Sequence, residues 1–252
     1  MVFKLIFFIF GKMKTIGNFL LTLNQLKDPR LWKPVLWATI LSLTTLFIIF
    51  LLGGTFLFHL SDALNDQLSG WMSWTDGWLA KLSVVIGTFF IGMVGYFFLG
   101  SVYAAFLGIF LDDALDAIRE EHYPNVEWIK PPGLIESTIS SLRFIVSSLV
   151  LYILASPILL VGYFIPPIGI ILQYLLGGYL LGREYGQLIE LRLPRDQRIK
   201  KPASLFHGTI ANFLWTFPLV NLVAPILLAG ALVHSRLGKL NATIPATKLS
   251  SN

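Results

Sequence analysis

Four stretches of this chain, residues 35–60, 82–111, 144–182 and 203–235, contain no aspartate, glutamate, lysine or arginine. Each exceeds the about 20 apolar residues that a helix needs to cross a bilayer. Of 252 residues, 55% are hydrophobic and 13% charged, about half the charged share of a soluble domain. Unpaired backbone groups are too costly in hydrocarbon, so spanning segments are helices or closed barrels, and runs without two-residue alternation select helices. The chain therefore reads as an all-α integral membrane protein with a single membrane domain, residues 1–252.

Residues 35–60 and 82–111 read as two long transmembrane helices. The second is expected to continue into LDDALDAIREE, where Leu111, Leu115 and Ile118 prolong its apolar stripe. The other two runs are broken. FIPPIG places Pro166, Pro167 and Gly169 inside 144–182, and FPLVNLVAP places Pro218, Asn221 and Pro225 inside 203–235. In each, a proline is followed three residues later by glycine or asparagine, the types that best tolerate a left-handed turn. The arms 168–182 and 203–217, about 15 residues and about 22 Å each, fall short of a hydrocarbon core of roughly 30 Å. Neither turn carries charge. The expectation is two short proline-turned helical hairpins, hemi-penetrating, that dip into the membrane and return; hydropathy alone leaves two spanning pairs open.

Lys4, Lys12, Lys14, Lys27, Arg30 and Lys33 precede the first span, whereas the loop 61–81 carries Asp62, Asp66 and Asp76 against Lys81. Positive residues stay inside, so the N-terminus is expected in the cytoplasm, as is the basic stretch 183–201, and with them the C-terminus. Trp71, Trp74 and Trp78 in the outer loop suit an interfacial belt. Before the first span, residues 13–27 place Ile16, Phe19, Leu20, Leu23 and Leu26 on one helical stripe and Lys14, Asn18, Thr22 and Gln25 off it. That pattern suits an amphipathic N-terminal helix in the interface, and equally one packed on a core. Leu5 to Phe10 is too short for a signal-peptide core, so this segment is expected to remain.

The chain has no cysteine, its four histidines lack metal-ligand spacing, and it shows no phosphate loop, catalytic triad or paired catalytic carboxylates. No enzyme, cofactor, metal or nucleic-acid partner is expected. Proton-coupled carriers need ionisable groups inside the membrane; only His207 and His234 are available, near helix ends, so a facilitator or channel fits better. One place suits an anion. At the start of the first span the amides after Pro29 form a helix N-terminus, with Arg30 and Lys33 beside them. Asp28 opposes an anion there, and the same cations equally suit anchoring at lipid headgroups.

Pro29-Arg30-Leu31, FLDDALDAIREEHYP, FIPPIG and FPLVNLVAP, in this order and spacing, resemble the CysZ sulfate permeases and the wider EI24-domain family, from Lys27 to Leu237. The resemblance implies an oligomeric bacterial inner-membrane protein with two long spans and two hemi-penetrating hairpins, admitting sulfate for cysteine biosynthesis. It also implies an anion site at Arg30, Leu31, Trp32 and Lys33. There the permeases typically carry Pro-Gly-Leu-Arg-Arg; here Arg30 replaces the glycine, Trp32 the first arginine, and Lys33 keeps one charge. The implied partners are sulfate, the lipid bilayer and further copies of the chain. A non-transporting scaffold of the EI24 type is the alternative.

Overall fold

The computed structural model describes residues 2–68, 78–130, 133–199 and 204–243, and these contain only helices and their connections. In order the α-helices are α1 (Val2–Gln25), α2 (Pro29–Leu68), α3 (Trp78–His122), α4 (Leu134–Tyr163), α5 (Pro166–Glu190), α6 (Leu205–Leu214), the single turn α7 (Pro218–Asn221) and α8 (Ala224–Asn241), with one 3-10 turn, Arg195–Gln197, between α5 and α6. Two described stretches are long and apolar enough to cross a membrane, Pro29–Leu60 and Ile145–Tyr163, and Val84–Gly95 adds a shorter apolar segment within α3. The helix α3 runs unbroken from Trp78 to His122, as the continued stripe requires. Trp71 and Trp74 lie outside the described residues.

The chain divides into two units. In Lys33–Asp112, α2 and α3 run antiparallel, with Gly53 against Ile91, Gly87 against Leu57 and Gly95 towards Leu46. Outward-facing side chains here are large and apolar: Phe89 is 74% exposed and Leu52 65%. A water-facing helix pair would carry charge on that surface; one facing lipid has no need to.

The other unit joins residues up to Trp32 with those from Asp113 onward. Its centre is α8, where every residue from Ala224 to His234 is buried. Beside it α5 and α6 meet backbone to backbone. A Cβ at Gly208 would lie 1.8 Å from the Gly178 carbonyl oxygen and 2.6 Å from the Gly182 nitrogen, and one at Gly178 would meet the Thr209 backbone at 2.5 Å. Small residues spaced four apart allow such an approach, which gives lipid-embedded helices their packing energy.

The broken runs differ in mechanism from the sequence expectation. Ile165 (φ −120°, ψ 88°) and Phe217 (φ −95°, ψ 119°) leave the helical region because each precedes a proline. Pro166 and Pro167 then begin α5, Pro218 begins α7, and Pro225 lies in the first turn of α8, where a missing N–H is harmless. Gly169 and Asn221 are thus helical rather than left-handed turn residues. Gly169 is needed for space, since a Cβ would meet Tyr163 N at 2.9 Å and Gly162 C at 3.0 Å across the hairpin. The second arm of this hairpin is also longer than its charge-free part: α5 continues past Gly182 to Glu190.

The helix α1 buries a face that mixes the two expected stripes: Phe19 of the apolar one turns inward beside Thr22 and Gln25, and Lys14 of the polar one is exposed. Thr22 (0% exposed) and Gln25 (6%) face the protein, while Leu20 (55%), Ile16 and Leu23 face out. Thr22 packs on Gly230 of α8 so closely that a Cβ there would lie 2.3 Å from its methyl. A helix that buries Thr22 and Gln25 and turns Ile16, Leu20 and Leu23 outward is stable against lipid, not water.

Replacing Gly208 by alanine is expected to destabilise the fold by about 1–3 kcal/mol through overpacking. The same change at Gly92, with nothing within 4 Å of its added Cβ, should be neutral or slightly stabilising. Thermal unfolding of both variants in one detergent checks the contrast.

Candidate functional site

At the start of α2, Asp28 acts as the helix cap. Its Oδ1 accepts the Arg30 amide at 2.8 Å, and its carbonyl accepts the Leu31 amide at 3.1 Å. Arg30 is matched twice, Nε to Asp28 Oδ2 at 3.0 Å and Nη1 to Glu120 Oε2 at 2.9 Å. Leu31 is fully buried, and Trp32 Nε1 donates to the Leu26 carbonyl at 2.6 Å. Lys33 is exposed and has no ion pair among the described residues. Of the four anticipated anion-site residues, Lys33 therefore retains an uncommitted charge, whereas the first two amides and the Arg30 guanidinium already hold acceptors from the chain itself.

A second polar constellation escaped the sequence. Three helices, α1, α8 and the end of α3, meet at Gln25, and the donors and acceptors form a directed chain. Gln25 Oε1 can only accept, so His234 Nε2 carries the hydrogen and donates to it at 2.8 Å. His234 Nδ1 is then an acceptor and takes the Tyr123 hydroxyl at 3.0 Å. Gln25 Nε2 donates onward to His122 Nδ1 at 2.7 Å and Glu121 Oε2 at 3.1 Å. The His122 and His234 rings sit 5.1 Å apart, edge on. Burial raises the Tyr123 hydroxyl above its ordinary value, which keeps it the donor this arrangement needs. The signal was present in part: Asn18, Thr22 and Gln25 share one face of an apolar helix. Pairing that face with His122 and His234, about a hundred and two hundred positions on, needs the tertiary structure.

The third group closes the end of α5. Glu190 pairs with Arg236 of α8 and accepts the Ile199 amide at 2.8 Å, while Arg236 Nη2 donates to the Gln197 carbonyl. Arg198 donates to the carbonyls of Leu191 and Leu193 at 3.0 and 2.8 Å, satisfying the helix end. Arg192 donates to the Leu188 carbonyl at 2.7 Å, and burial pulls its guanidinium down to about 10. Much of the basic stretch thus works as a structural clasp.

The Glu190 and Arg236 side chains are 6% and 17% exposed. Arg236→Met should therefore destabilise by about 3–5 kcal/mol, because it strands a buried carboxylate. Adding Glu190→Gln should recover much of that loss. Chemical-denaturation midpoints of the single and double variants test this; additive losses would mean the pair is not coupled.

The curated proteins and the solved structures give no match to this chain. A family model does match, over residues 18–225, which takes in α2, α3, both proline breaks and Gln25. The chain belongs to the EI24 family, described as sulfate transporter CysZ/etoposide-induced protein 2.4.

Proposed function

We propose that this protein is a permease or channel admitting sulfate or a related small anion for cysteine biosynthesis, in a bacterial inner membrane, with both termini cytoplasmic. The observation that carries the reading is the family match over residues 18–225, joined to helices whose outward surface is apolar. The same description names etoposide-induced protein 2.4, so a non-transporting scaffold is the second reading. Labelled sulfate uptake in a cell lacking its own sulfate transporters separates the two. Restored uptake is expected; no uptake with the protein verified in the membrane would favour the scaffold.

The hairpins α4–α5 and α6–α8 are proposed to dip and return. Their tips support this: Phe164 and Leu219, each 83% exposed, are among the most exposed apolar side chains, and α6 with 10 residues is about 15 Å long, half the hydrocarbon core. Apolar tips this open need lipid or a second copy of the chain around them, which agrees with a homo-oligomer. Phe164→Cys and Leu219→Cys in this cysteine-free protein should resist a membrane-impermeant maleimide added from either side. Ready labelling at both would favour full spans.

The segment Arg30, Leu31, Trp32 and Lys33 is proposed as the entry site, with Lys33 supplying its free charge. Lys33→Gln should then weaken sulfate binding about ten- to a hundredfold, the loss of one charge-assisted hydrogen bond. Equal affinities in a calorimetric titration would reassign Lys33 to headgroup anchoring.

A further inference from the structure

A cavity of about 150 Å³ lies between α5, α8 and the start of α6, lined by Glu190, Arg236, Lys239, Ser204 and Ser235 among others. Its ligand chemistry follows from which of these groups are already committed. Glu190 Oε1 accepts from Arg236 Nε, and its Oε2 accepts from the Ile199 amide at 2.8 Å and from Arg236 Nη2 at 3.4 Å. Its charge is therefore matched within the protein. With two cations against one carboxylate, the lining keeps one positive charge, that of Lys239, which has no ion pair among the described residues.

Ser204 is committed in a particular sense. Asn18 Nδ2 donates to His207 Nε2 at 3.1 Å, so the neutral ring carries its hydrogen on Nδ1, the nitrogen facing Ser204 Oγ. The serine oxygen serves as that acceptor, and its own O–H remains free to donate. Ser235 adds a second hydroxyl. The groups left to meet a ligand are thus an ammonium and two hydroxyls, which together offer donors and positive charge. The volume equals about five waters' share of liquid, well below the roughly 300 Å³ at which organic-ligand pockets begin.

We propose that this cavity binds a small tetrahedral oxyanion, a sulfate or phosphate group, with Lys239 supplying the charge and Ser204 and Ser235 the O–H donors. The site shares no residue with the α2 entry segment and does not depend on transport. Two sources offer the same chemistry, a free inorganic anion and the phosphate of an anionic lipid.

Calorimetric titration of lipid-depleted protein with sulfate, and separately with phosphate, is compared for wild type, Lys239→Gln and Lys239→Arg. Lys239 is exposed, so these changes leave the packing intact. The glutamine variant should lose about ten- to a hundredfold in affinity, while the arginine variant stays within a few-fold of wild type. In Lys33→Gln this binding event should persist, so failure at the entry segment and failure here are separate results. Repeating the titration in phosphatidylcholine nanodiscs with and without phosphatidylglycerol identifies the source. A signal suppressed only by the anionic lipid makes a headgroup the resident, and a signal kept in both makes it the free anion. Equal affinity in wild type and Lys239→Gln overturns the proposal, as does absence of anion binding by the wild type in detergent and in both lipids.

Discussion

Between helices that already face lipid, burying one more leucine releases no water, so the usual drive for packing is missing and close contact must replace it. The glycines answer that constraint. Gly178, Gly182 and Gly208 let α5 and α6 touch through their backbones, Gly230 admits Thr22, and Gly162 and Gly169 close the α4–α5 hairpin. Dispersion between surfaces this close is small per atom and large in sum. It also makes these contacts intolerant of a single methyl group, whereas Gly54 and Gly92 stand clear of neighbours.

Polar groups supply the second kind of contact, and the structure gathers them where several elements converge. The Gln25 network joins α1, α8 and the end of α3, and the Glu190–Arg236 pair joins α5 to α8. Each such bond contributes about 1 kcal/mol or less net, but stranding one partner in a buried place costs more than making the bond gains. The networks therefore act chiefly on specificity: they set which helix faces meet, because any other register leaves a donor or acceptor unpaired.

Several features are legible in the sequence because local rules decide them. Asp28 and Pro29 mark the start of α2, the repeat of Leu111, Leu115 and Ile118 carries α3 past its apolar run, and the prolines mark the breaks before α5 and α7. What local rules omit is the partner. Gly208 in an apolar run is a weak helix former until Gly178 is seen across from it. Gly169 and Asn221 look like turn residues, yet the preceding proline geometry bends the chain at Ile165 and Phe217. The apolar stripe of α1 does not say what it faces: Ile16, Leu20 and Leu23 point outward, whereas Phe19 turns inward with Thr22 and Gln25, an arrangement set by the partners on α8 and α3. For the site residues, Arg30 reads as a free cation until Glu120, ninety positions later, is placed against it.

The Asp28 cap has a consequence for any anion approaching the first turn of α2. Its carboxylate is a tethered competitor, held by the Arg30 amide and guanidinium, and a tether of this length corresponds to an effective concentration of about millimolar or above. An incoming anion at those donors gains only the difference between its own contacts and those it displaces. In the permease proposed above, such an exchange would keep residence short, as conduction through a succession of sites requires. There the carboxylate would work as a built-in eluant.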